Sequence, residues 1–242
     1  MRHAPLRAVL GLTLGLGLWQ ALVWGAGLPR YILPAPTGVA QALLDHAALI
    51  GGQARFTLLN LLAGLAAGLV LGVMSALHLA LSPVARRLLR PILIGAQAVP
   101  IFALAPILTL WLGFGAASKI VIVALVIYFP IASAFFDGLM RLPAPLADLA
   151  HLMQAHPLRR LLLLQLPHAL PALISGLRLA IVQAPFAVIL GEWVGSSQGL
   201  GHLILLANGR GQTELMFAAL MVLAAISLTL FLILEGLVKG RG

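Results

Sequence analysis

Six long apolar runs follow one another along the chain, at about 8–28, 56–80, 91–112, 120–136, 172–194 and 215–237. The 21 residues of the first run span roughly 31 Å as a helix, close to the hydrocarbon thickness of a bilayer. A signal-peptide core is shorter, so this run reads as a retained first transmembrane helix. The pattern predicts an all-α, polytopic membrane protein of six crossings, forming one domain over 1–242. Of the stretches between runs, the inner loop 137–171 is the longest. Its segment from Asp148 to Pro171 is the longest that can sit in water. Loops longer than about 12–15 residues usually carry function.

Interruptions in the runs refine the picture. Gly11 and Gly15 form a small-residue face on the first crossing. Pro29, Pro34 and Pro36 break any helix after it, and Thr37 can cap a new one. Val39, Leu43, Ala47 and Ile50 then recur at helical spacing, which predicts a short amphipathic helix ended by a Gly51-Gly52 break. That helix packs either on its own protein or on the membrane surface. In the second crossing Gly64, Gly68 and Gly72 share one face, as needed for close approach of another backbone in lipid. The third crossing carries Gln97, Pro100 and Pro106, the fourth Pro130, and the fifth Arg178, Gln183, Pro185 and Glu192. Two prolines in one membrane helix free carbonyls that protein or a water-filled cavity must satisfy.

Composition agrees with lipid as the solvent. The chain of 242 residues is 62% hydrophobic and 9% charged, with mean hydropathy +1.09. Its net charge of +9 has a membrane explanation, because basic residues collect in cytoplasmic loops. Placing both termini in the cytoplasm puts eleven Lys and Arg inside and four outside, the latter being Arg30, Arg55, Lys119 and Arg210. No basic patch is interleaved with aromatics, which argues against nucleic-acid binding. There is no cysteine for disulfides or thiolate metal sites.

Little in the sequence points to catalysis. The G-x-x-x-x-G-K-[ST] phosphate cradle is absent, so any ATPase that drives this chain is a separate subunit. Gly195-Ser196-Ser197-Gln198-Gly199 matches G-x-S-x-G, but it follows a membrane helix and lies in a glycine-rich outer loop. A hydrolase needs a strand–turn–helix setting there, so a nucleophilic Ser197 is the minor alternative. No metal site is expected, since the histidines show no H-E-x-x-H-like pairing. Glu192 is the most informative charge in a crossing, and either faces a cavity or partner or reaches the outer interface. Arg178 is placed to snorkel to the inner surface. In the inner loop, Pro145 starts a short helix, His156-Pro157 breaks it, and a second basic helix runs from Leu158 until Pro167. Together they make an exposed elbow.

These residues carry a resemblance. The proline-rich segment LPAPTGVAQAL, the run VPIFALAPILTLWLGFGAASKI and the inner loop with its closing LP-x-ALP resemble the permeases of binding-protein-dependent ABC importers. The likeness runs from about Leu33 to the C-terminus. Such permeases carry a loop signature beginning Glu-Ala-Ala, with a later glycine and an Ile/Val-x-Leu-Pro ending. Here the matching positions are Asp148, Leu149 and Ala150, then Gln154 for the glycine, and Leu164, Leu166 and Pro167. Without that glycine the turn is expected to change shape or to run on as longer helix.

The resemblance implies a type I importer permease fold, a transport subunit and not an enzyme. It implies that Asp148, Leu149, Ala150, Gln154, Arg159, Arg160 and Pro167 form the coupling loop that docks on ATP-binding cassette ATPase subunits. Gln97, Pro100, Pro106, Gln183 and Glu192 are candidates for the translocation pathway. Further expectations are a homodimer, a periplasmic or lipid-anchored substrate-binding protein, contact with membrane lipid and residence in a bacterial inner membrane. No cofactor is expected on this chain, with ATP and magnesium held by the ATPase. YFPIASAFFDGL and GEWVGSSQGLGHLILLANGRGQTELMFAAL resemble permeases for thiamine-precursor pyrimidines within the branch that also serves sulfonates, taurine and nitrate.

Overall fold

The computed structural model of the chain describes residues 4–239, and every regular element among them is helical. In order these are α1 (Ala4–Gly25), α2 (Pro36–Asp45), α3 (Ala47–Leu81), α4 (Pro83–Ala96), α5 (Ile101–Leu112), α6 (Ala116–Met140), α7 (Ala144–Leu152), α8 (Pro157–Arg160), α9 (Leu166–Trp193), α10 (Leu200–Gly209) and α11 (Thr213–Lys239). A π-helical stretch, Leu161–Gln165, joins α8 to α9. The chain is therefore all-α and polytopic. Four helices are long and apolar enough to cross a membrane: α3, α6, the continuous run Pro157–Trp193, and α11. The other two expected crossings fall on α1 and on the pair α4 and α5.

Helix α6 is the centre, lying against α3 on one side and α9 on the other. The glycine stripe explains the first contact. A Cβ added to Gly64 would lie 2.5 Å from the Val123 Cβ, and one on Gly72 would lie 2.9 Å from Ile131. One on Gly68 would strike Ile127 and come within 2.9 Å of the Ala124 carbonyl. Val123, Ile127 and Ile131 are four residues apart, so one β-branched ridge of α6 fills one glycine groove of α3. The second contact follows the same logic. A Cβ on Gly176 of α9 would lie 2.6 Å from the Pro130 carbonyl, and one on Gly138 of α6 would lie 2.6 Å from the Ala172 Cβ. Without a hydrophobic drive between helices in lipid, such close approach supplies the packing energy.

Several sequence expectations need correction. Gly51-Gly52 does not break the chain; α3 runs through it for 35 residues, roughly 52 Å. A helix-interior glycine costs only about 1 kcal/mol, too little to end a helix held by tertiary contacts. The amphipathic segment packs on its own protein: α2 lies on α11, with Val39 and Ala42 buried, while Ala47 of the expected stripe is exposed. The third crossing is two helices parted at Gln97–Pro100, and the Arg86–Arg90 stretch is helix instead of loop. Arg86 turns back to cap α3, its guanidinium donating to the carbonyls of Leu79 and Ala80. Pro167 does not end a helix. In the preceding π turn Leu166 N–H reaches the Leu161 carbonyl, and this wider turn gives the proline ring room.

Polar ties mark the two ends of the bundle. At one end Arg178 pairs with Glu235, replacing the expected snorkelling, and Arg90 lies 3.5 Å from Asp137. Arg90 also sits over the Phe136 ring, 5.0 Å from its centroid. At the other end α10 is folded back on α9 and α11. Lys119, expected in a solvated loop, is fully buried there and donates to the carbonyls of Phe114 and Gly195, each at 2.6 Å. Trp19 holds α1 to this end through a 3.1 Å bond to the Pro34 carbonyl and a ring contact with Phe217.

Candidate functional site

The elbow stands out from the Arg178 end. Helix α7 begins at Ala144, with Pro145 in its first turn, and stops at Leu152. Its end is a two-bond cap: Gln154 N–H reaches the His151 carbonyl at 3.0 Å, and Ala155 N–H reaches Ala150 at 2.9 Å. Such a cap needs a left-handed residue, and Gln154 supplies it with φ +49°. The turn therefore keeps the shape a glycine would give, contrary to the expectation that it would change. The left-handed conformation costs about 1 kcal/mol in a residue with a Cβ. His156 then caps α8 by accepting from Leu158 N–H, and Pro157 occupies its first turn.

What the elbow displays is apolar. Leu152 is 82% exposed and Met153 71%, and Leu149 and Leu158 are each about half exposed. Asp148 and Arg159 flank them in solvent. Ala150 is buried, and Arg160 has a buried Nε with no partner. Leu161 is buried with Phe135, Phe136, Leu139 and Ala169, which fixes the elbow to α6. Pro167 lies in the first turn of α9, behind the elbow and not on its face. The elbow thus presents an apolar tip with an ionic rim on a rigid base, the composition of a surface that another protein can cover. The sequence reading named Asp148, Leu149, Ala150, Gln154, Arg159, Arg160 and Pro167 and passed over Leu152 and Met153. Two large apolar residues at the mouth of a helix-ending turn outside the membrane were the available signal.

A cavity of about 850 Å³ opens on the bundle between the α4–α5 break, α6 and α9. Gln97, Pro100 and Gln183, from three separate stretches of sequence, all line it, beside Tyr128, Ser133 and Phe186. Pro106 does not; it sits exposed inside α5. Glu192 does not line it either. It is fully buried, and its carboxylate accepts from Thr57 Oγ1 at 2.8 Å and from Gly201 N–H at 2.7 Å. Thr57 Oγ1 in turn accepts from Leu200 N–H at 2.7 Å, and Gln53 Oε1 accepts from Gly199 N–H at 2.5 Å. Three successive amides at the start of α10 are thus held by α3 and α9. A Cβ on Gly201 would lie 2.9 Å from Glu192 Oε2, so only the bare backbone lets the carboxylate in. Glu192 anchors α10. The Gly195–Gly199 turn follows a helix, and its Ser196 hydroxyl is engaged with Gln198, so the setting of a serine nucleophile is not what surrounds Ser197.

The family of binding-protein-dependent transport system inner membrane components matches residues 68–240. The chain belongs to this family. A probable ABC transporter permease protein of Haemophilus influenzae is 46% identical over 98% of this chain and 97% of its own length. The riboflavin transport system permease of Chloroflexus aurantiacus is 35% identical, covering 94% and 85%. The formylaminopyrimidine transport permease of Halalkalibacterium halodurans is 32% identical, covering 76% and 74%. The chain is accordingly a permease subunit of an ABC importer, a transport component and not an enzyme, in an inner-membrane transport family. As a permease of a binding-protein-dependent system it works with an ATPase and a substrate-binding protein.

Proposed function

We propose that this permease imports a thiamine-precursor pyrimidine, working as a homodimer whose two elbows receive two ATPase subunits. The observation that carries the docking role is the elbow itself, with Leu152 and Met153 almost bare at its tip. Asp148, Leu149, Gln154, Arg159 and Arg160 surround that tip, Ala150 supports it from within, and Pro167 lies exposed in the first turn of α9 behind it. ATP and magnesium reside on the ATPase, and this chain binds no cofactor. Both termini and the elbow face the cytoplasm, following the excess of basic residues at that end. The α10 end meets a periplasmic or lipid-anchored binding protein. Closing of the ATPase subunits moves the elbows, tilts the crossings and opens the pathway to the loaded binding protein, and hydrolysis resets it. The pyrimidine assignment is supported by the resemblance of YFPIASAFFDGL and the α10 segment, and by the formylaminopyrimidine relative. The riboflavin relative favours a second reading, a larger heterocycle.

Reconstituted uptake tests this. The permease, its co-encoded ATPase and its binding protein are assembled in liposomes and offered labelled aminopyrimidine, riboflavin or taurine. ATP-dependent accumulation of the pyrimidine alone is expected. Accumulation of riboflavin instead selects the second reading, and uptake of taurine alone overturns both.

A further inference from the structure

The cavity has a chemistry of its own. Its polar lining is Gln97, Tyr128, Ser133 and Gln183, and none of these side chains has a hydrogen-bond partner among the described residues. At membrane depth an unpaired amide or hydroxyl is costly unless water or a solute takes it up. Gln97 lies in the turn that parts α4 from α5, where Ala98 N–H turns back to the Gly95 carbonyl at 3.0 Å. Gln183 faces the same space from α9. Aromatic surface surrounds these groups: Phe102, Phe129 and Phe186 line the cavity, and the Tyr128 and Phe129 rings meet edge to face at 5.1 Å.

Among the described residues no charged side chain lines this space. Arg90 lines a smaller adjoining pocket that shares Gln97, Tyr128 and Ser133. Arg90 is already committed to Asp137 and to the face of Phe136. An anion entering the cavity would shed its water without meeting a counter-charge. A neutral, planar ring with donors and acceptors on its edge meets none of that penalty. Aromatic faces can stack on it, and each glutamine amide offers one donor side and one acceptor side to its edge. A volume of about 850 Å³ accommodates a pyrimidine with water or a larger fused ring.

We propose that the permease itself carries a solute-contact site in this cavity, selective for neutral planar nitrogen heterocycles and against sulfonates and other small anions. Gln97 and Gln183 read the ring edge, and Phe129 and Phe186 hold its faces. The inference rests on reading the cavity as part of the solute path. It places some of the selectivity in the membrane subunit, downstream of the binding protein.

The probe is riboflavin, a fluorescent neutral heterocycle, titrated onto the permease–ATPase complex in lipid nanodiscs without binding protein. Saturable quenching is expected, displaced by 4-amino-5-hydroxymethyl-2-methylpyrimidine and not by taurine. Gln97→Leu and Gln183→Leu should each weaken it about five- to tenfold, the loss of one net hydrogen bond. Phe186→Leu, at an exposed position that tolerates the change, should weaken it by a similar factor. Thermal unfolding of each variant complex at the wild-type temperature serves as the check that it is folded. Absence of saturable binding, equal displacement by taurine, or binding within twofold of wild type in all three variants overturns the site. Those results alongside normal ATP-driven pyrimidine uptake by the wild type would remove this site alone. Loss of that uptake in the wild type would instead remove the proposed substrate.

Discussion

Glu192 offers a direct test of whether a buried charge in this permease serves transport or architecture. Replacement by glutamine keeps its size. The carboxylate now accepts two hydrogen bonds, from Thr57 Oγ1 and from Gly201 N–H. A glutamine has one acceptor oxygen there, so whichever way its amide is turned, one of those two donors loses its partner. Both sites are buried, and water cannot replace the lost acceptor. A hydrogen bond to a charged group contributes about 1.5–3 kcal/mol, so Glu192→Gln should destabilise by roughly that amount and Glu192→Ala by about twice as much. For a chain of this size the glutamine variant should unfold some 3–12 °C lower, on the scaling of about 2–4 °C per kcal/mol. Thermal unfolding followed by tryptophan fluorescence in detergent measures the shift. Hydrogen exchange localises it, because protection should fall at the amides of Gly199, Leu200 and Gly201. Lost uptake with unchanged unfolding and unchanged protection at those amides would refute the reasoning and return Glu192 to the pathway.

Three further outcomes are expected. Gly68→Ala drives a Cβ into Ile127 and should cost about 1–3 kcal/mol; Ile127→Ala in the same chain should recover part of it, as a double-mutant cycle in thermal unfolding will register. Leu152→Ala removes the barest apolar side chain of the elbow; if that side chain enters an ATPase cleft, co-purification and ATPase titration should show affinity falling roughly 5- to 30-fold, for about 1–2 kcal/mol of lost burial, while unfolding of the isolated permease stays unchanged. Gln154→Gly relieves the left-handed backbone and should leave transport intact with the elbow at least as stable, whereas Gln154→Val, β-branched at φ +49°, should reduce stimulation of the ATPase; equal coupling in both variants would show that the cap does not set the elbow's shape.

How far the sequence could be read depended on whether the deciding contact was local. Hydropathy alone gave the membrane class, because lipid accepts nothing else over such runs. The glycine stripe of α3 was legible as a packing face, but the ridge that fills it, Val123, Ile127 and Ile131, lies about sixty residues on and carries no mark of its own. Glu192 was rightly flagged by the cost of burying a carboxylate. The choice between cavity and anchor turned on Thr57, 135 residues away. Lys119 was misread because a charge between two apolar runs looks like a loop. Its ammonium is met by the Phe114 and Gly195 carbonyls, which no periodicity reveals. Gln154 misled in the opposite sense: the rule that glycine favours the left-handed turn is sound, yet its cost is small enough for a firmly capped helix end to impose the conformation on glutamine.

The failed proline rule at Pro167 bears most on mechanism. Had the chain broken there, the elbow would have been a separate lever linked to the fifth crossing by a flexible joint. Instead the helical run Pro157–Trp193 spans 37 residues, roughly 55 Å, from the elbow to the residue beside Glu192. Leu161 fixes one end of this rod against α6, and the Glu192 carboxylate holds the start of α10 at the other. Displacement of the elbow must therefore either carry the rod, and with it the α10 end, or bend it. Its weak points are the π turn and the two internal prolines, Pro171 and Pro185. Of these, Pro185 is flanked by Gln183 and Phe186, both on the cavity wall. A bend there reshapes the cavity, so the geometry of the rod links the elbow, the cavity and the anchored α10 end through one helix.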